Sequence, residues 1–171
     1  MKFVANLLPL FLAFGSVMAL AQGGKAVETD AQKFVRMTRS LEADPSMDKD
    51  KSMRSWLLKW ATDSPDVYVD ICLGLLWPSA QERDTPHAGA LVLQYTFGNA
   101  AFQIEHPDQA KDKHAVQIAG VRSALKAYAA ILKKDPSAKN PYFDDLLAKD
   151  KAGKLDQELH GRIDAACAKK E

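Results

Sequence analysis

The chain has 171 residues, with 23 Lys and Arg against 22 Asp and Glu, and only two cysteines. A nearly neutral balance gives no sequence-independent pull toward nucleic acid or anionic lipid, both of which need clustered positive charge. The length suits one domain large enough to bury a substantial core.

The opening stretch, MKFVANLLPLFLAFGSVMALA, carries one cation at Lys2, an apolar run from Phe3 to Leu20, and small residues at Ala19 and Ala21. That is the form of a cleavable secretory leader, with the cut expected after Ala21. Pro9 and Gly15 interrupt a continuous spanning helix, and no cysteine follows the cut to take a lipid. Cleavage leaves residues 22–171 as one helical domain with 22 cations against 22 anions. It is expected to be soluble, away from membranes, in a periplasm or outside the cell. Cys72 and Cys167 both survive cleavage, and an even count in an exported chain favours a disulfide between them.

Thr29 and Gln32 form a capping-box pattern, and Phe34, Val35, Met37, Thr38 and Leu41 recur at helical spacing, which predicts a helix over 30–43. Pro45 ends it, and Ser46 is the expected cap of a second helix. There Met53, Trp56, Leu57 and Trp60 share an apolar face opposite Lys51, Arg54 and Lys59. Because the cations lie across the helix from the tryptophans, this is a packing face rather than a stacking surface for nucleic acid. Residues 66–72 alternate as a strand would, but no second strand pattern pairs with them, so an extended segment or short helix is expected before the apolar LGLLW.

Thr85-Pro86 has the form of a helix start, and the run from His87 to Glu105 is apolar around most of its circumference, as a central helix is. Gly89, Gly98 and Ala101 are positions at which a neighbour can come close. Pro107 closes that helix. Asp108 is the expected opening of a long helix, reaching 112–134, in which Ile118, Val121, Leu125, Tyr128 and Leu132 repeat at spacings of three and four. Asn140-Pro141 starts a short helix through Leu147. Leu155, Leu159 and Ile163 stripe a last one running to Cys167. The expected fold is all-α, a compact bundle of six or seven helices.

Within 120–136, Ala124, Tyr128, Ile131 and Pro136 occupy the small, aromatic, apolar and proline offsets of a helix that resembles the second helix of a tetratricopeptide repeat. The resemblance implies stacked helix pairs with a concave partner-binding groove. The preceding helix of such a repeat would show an aromatic, leucine, glycine and tyrosine where this chain has Asp108, Lys111, Asp112 and Ala115. The bundle is therefore the architecture adopted.

Catalytic signatures are sparse. There is no HExxH, G-x-S-x-G, CxxC or phosphate-binding glycine loop. Asp48, Asp50 and Ser52 begin like a calcium loop, but Met53 and Lys59 stand at its glycine and glutamate positions. No cofactor, metal or catalytic residue is assigned. The expected role is non-enzymatic, with another protein or a second copy as partner. The alternative is an enzyme or ligand carrier with a pocket around Glu105, His106 and His114, with Tyr95 as a further lining candidate; Glu105, His106 and Asp108 crowd one interhelical turn. A third expectation places a small ligand near Tyr95, Phe97 and Phe102.

Overall fold

The computed structural model describes residues 27–49, 51–78 and 85–168. The leader expected over 1–21 lies outside them. Six α-helices occur among the described residues: α1 (Asp30–Ala43), α2 (Ser52–Asp63), α3 (Ala88–Glu105), α4 (Lys113–Lys134), α5 (Pro141–Lys151) and α6 (Leu155–Ala166). None is long and apolar enough to cross a membrane. Single 3-10 turns lie at Leu73–Leu75 and Pro136–Ala138.

The helix ends follow from local chemistry. At α1 the Thr29 hydroxyl accepts the Gln32 N–H while the Gln32 side chain accepts the Thr29 N–H, closing the expected capping box. Three starts differ from the sequence expectation. Ser46 does not cap α2. The buried carboxylate of Asp48 does so instead, accepting the N–H groups of Met53 at 2.9 Å and Arg54 at 3.0 Å. A carboxylate satisfies two orphan donors and suits the positive end of the helix dipole better than a single hydroxyl. Thr85 does not cap α3, which begins at Ala88 after His87 in a left-handed conformation, and the Thr85 hydroxyl instead accepts a hydrogen bond from Asn140. Nor does Asp108 open α4. Residues 107–111 form turns, and Asp112 caps the helix by accepting the Ala115 N–H. The half-repeat at 120–136 is thus the continuation of a helix that begins at Lys113, and Asp108, Lys111 and Asp112 lie in the turns and cap before it rather than in a helix.

Helix α3 is the shared wall of two apolar cores. Its Leu91 and Tyr95 enter one core with Leu75, Val121, Leu125, Tyr128, Phe143, Leu146 and Leu159. Its Phe97, Ala100 and Ala101 enter the other with Phe34, Met37, Leu41 and Leu57. A helix buried on opposite sides needs apolar residues almost all round, which explains the wide apolar surface of 87–105. The seam of α4 is buried at Ile118, Val121, Leu125 and Tyr128, as its spacing predicts.

The α3–α4 contact is unusually close. A Cβ added to Gly98 would lie 2.3 Å from the Ser123 Cβ and 3.2 Å from the Gly120 Cα, and one added to Gly120 would lie 2.1 Å from the Asn99 Oδ1. Gly89, by contrast, faces open space and makes no close approach.

The Cys72–Cys167 disulfide is present, spanning a sequence separation of 95 and joining the last turn of α6 to the segment before the first 3-10 turn. Gly98→Ala is expected to destabilise the fold by about 1–3 kcal/mol, because overpacking at that contact outweighs the roughly 1 kcal/mol gained in helix propensity. Gly161→Ala, in α6 with nothing within 4 Å, is expected to stabilise by up to about 1 kcal/mol; urea unfolding of the two variants checks both signs. Reducing the disulfide is expected to remove on the order of 4–5 kcal/mol in the chain-entropy account and to lower the calorimetric midpoint by several degrees or more.

Candidate functional site

Residues 67–72, here termed the strap, are neither helix nor paired strand. Their β-branched pattern favours an extended backbone, and three side chains from the helices hold it. The Gln103 amide of α3 grips Tyr68 at both main-chain groups: its Oε1 accepts the Tyr68 N–H at 3.0 Å and its Nε2 donates to the Tyr68 carbonyl at 2.8 Å. From α4, the Gln117 Nε2 donates to the Asp70 carbonyl at 3.0 Å. The Tyr95 hydroxyl accepts the Cys72 N–H at 3.2 Å and donates to the Gln117 Oε1. Gln103, Gln117 and Tyr95 are all buried. Each would leave a costly unsatisfied group if the strap were absent.

The outer aspect of the strap is apolar and open. Val67 and Val69 rest on the second core, whereas Tyr68 and Ile71 are 74% and 48% exposed, and Leu58 of α2 is 46% exposed. These three residues line a single groove of about 320 Å³ between α2 and the strap. Grouping distinguishes them from scattered exposed hydrophobics, which carry no information.

The residues singled out in the sequence fall in different places. Glu105 and His106 share a groove of about 350 Å³ with Arg39, Arg122 and Lys126. The Glu105 carboxylate is held there by the Arg39 guanidinium, and the His106 ring packs on Phe102 at 4.6 Å. His114 turns to α6, where its Nε2 lies 3.3 Å from Asp164 and its ring 4.1 Å from that of His160. Tyr95 is interior, beneath the strap. Glu105, His106 and His114 thus do not converge. Tyr95 and Phe97 occupy opposite cores, and Phe102 is covered by His106, so these three line no common cavity. Trp56 and Trp60 are half-buried, stacked at 6.5 Å, with Trp60 4.8 Å from Phe34. Lys33 sits 4.1 Å above the Trp56 ring.

Two features escaped the sequence reading. One is Glu42, 6% exposed. It accepts from Ser123 at 2.7 Å, lies 3.1 Å from Lys126, and pairs with Arg39, while Gln94 donates to Ser123 at 2.9 Å. This network ties α1, α3 and α4 together. Its sequence signal is the spacing Phe34, Thr38, Glu42, which continues the buried stripe into an acid. The other is the strap's dependence on Gln103 and Gln117, which local pattern does not mark. Among the described residues, Asp70, Cys72 and Cys167 place donor atoms within 4.8 Å of one another, but the two sulfurs are joined to each other.

No family model, curated protein or solved structure matches this chain.

Burial pushes the Tyr95 phenol up to about 12, against the opposing hydrogen bond from Cys72. The unfolded chain loses that proton near pH 10, so between pH 10 and 12 the unfolded state binds fewer protons and stability falls as pH rises. Wild-type protein is expected to lose on the order of 2–3 kcal/mol across this window from Tyr95, a loss that Tyr95→Phe removes. At neutral pH the same variant is expected to cost about 1–3 kcal/mol by orphaning the Cys72 N–H. Urea titrations at pH 8, 10, 11 and 12 measure both effects.

Proposed function

We propose that this chain is an exported, non-enzymatic binding protein whose contact surface is the groove framed by Leu58, Tyr68 and Ile71. The observation that carries the reading is the strap itself. Three buried polar side chains hold the strap at the surface with Tyr68 and Ile71 outward, an arrangement that exposes hydrophobic area with no benefit to the free protein. The chemistry elsewhere supports the same reading. Glu105 is held by Arg39 and His87 pairs with Asp135, while His114 pairs with Asp164; these acids and imidazoles are engaged with one another rather than poised around a shared cavity. The disulfide fits an oxidising compartment, consistent with the leader read from residues 1–21.

The test is affinity purification from the native exported fraction with wild-type protein and with a Tyr68→Asp, Ile71→Asp double variant of unchanged circular dichroism. A partner retained by the wild type and lost at least tenfold by the variant is the expected result. Recovery of the wild-type protein alone, monomeric by light scattering, overturns the reading.

A further inference from the structure

The main-chain groups of the strap are engaged at every second residue. Tyr68 bonds to Gln103 through both its N–H and C=O, Asp70 to Gln117 through its C=O and Cys72 to Tyr95 through its N–H, whereas the N–H and C=O groups of Val67, Val69 and Ile71 have no hydrogen-bond partner among the described residues. In an extended chain, the main-chain groups of successive residues point to opposite edges. The strap therefore has one edge engaged by side chains that take the place of a neighbouring strand, and one edge without hydrogen-bond partners among the described residues. The groove between the strap and α2, walled on the α2 side by Leu58, Ala61 and Thr62, accompanies it.

We propose that this open edge receives an extended segment of a partner protein as an added β-strand, pairing with the main chain of Val67, Val69 and Ile71. The proposal rests on the binding reading above and specifies its chemistry. An edge of unpaired donors and acceptors is a template for strand addition. Here it is held in the bound conformation before the partner arrives, which lowers the ordering cost of association. From Val67 to Ile71 the edge runs about 13 Å, so it takes about five partner residues. Their side chains are apolar at alternate positions, to lie against Leu58 and Ala61. The carboxylate of Asp66, in the turn just before the strap, is exposed and has no ion pair among the described residues, and it selects Lys or Arg at the neighbouring end.

A random library of twelve-residue displayed peptides, panned against the oxidised full chain, tests the assignment. Selected peptides are expected to alternate apolar and polar residues. In synthetic versions, N-methylation of one alternating set of amides is expected to weaken binding tenfold or more, and N-methylation of the intervening set to change it by less than twofold. Val69→Pro, which removes one edge donor and leaves Leu58, Tyr68 and Ile71 in place, is expected to weaken binding tenfold with unchanged circular dichroism; the N-methyl series decides the matter if that variant misfolds. Peptides of helical period, or peptides indifferent to N-methylation, that still require Ile71 overturn strand addition and leave the binding reading standing. A library yielding no peptide that distinguishes wild type from Ile71→Asp overturns both. A concentration-dependent dimer abolished by Val69→Pro puts a second copy on the edge and overturns the assignment to a foreign partner.

Discussion

The structure depends on how closely α3 and α4 approach at Gly98 and Gly120. The glycines make room there for Ser123, Asn99 and Tyr95 of the facing helix: a Cβ at either glycine would fall within 2.3 Å of a neighbouring atom. Because one helix lies directly on the other, the pair is covered by α1 and α2 on the α3 side and by α5 and α6, which pack on α4, on the other. The buried Glu42 network sits across the α1 side of the same junction, with Ser123, one turn from Gly120, donating to its carboxylate. Replacing one partner of a buried charged network costs more than the net worth of the intact pair, so this polar knot fixes the orientation of α1 as much as it adds stability.

From that junction the strap follows. Gln103 and Tyr95 project from α3 and Gln117 from α4, so the three groups that hold residues 68, 70 and 72 are aligned only when the two helices are in register. The extended segment is thereby a readout of the α3–α4 contact. It also explains why Gln103 and Gln117 are buried in otherwise apolar surroundings: each amide supplies the donor or acceptor that a second strand would have supplied.

Much of the fold was legible in the sequence, because helix caps and apolar stripes are local signals. The Thr29/Gln32 box, the proline stops at 107 and 136, the Asn140 cap and the Ile118–Leu132 seam each rest on residues within a few positions of one another. The errors arose where two local candidates competed. Ser46 lost to Asp48, and Asp108 lost to Asp112, in both cases because an acid closer to the helical run could reach free N–H groups. At Thr85 the hydroxyl was taken by a residue 55 positions away. The candidate site was much less legible. The strand-like alternation at 66–72 was visible, but its support by Gln103 and Gln117 is non-local and leaves no periodic trace. The proximity of Glu105, His106 and His114 in sequence did not translate into convergence, because the turns at 107–111 and the direction of α4 send His114 to α6.

The disulfide divides the molecule in a way that the helix order does not. Cys72 and Cys167 close a covalent ring that contains α3, α4, α5 and α6, while α1, α2 and most of the strap form a tail outside it. One of the two cores is lined almost wholly by residues of the ring, whereas the other is gripped by the tail through noncovalent contacts alone. A single proteolytic cut anywhere between the two cysteines therefore yields fragments that migrate together until reductant is added, whereas a cut before Cys72 frees a piece at once.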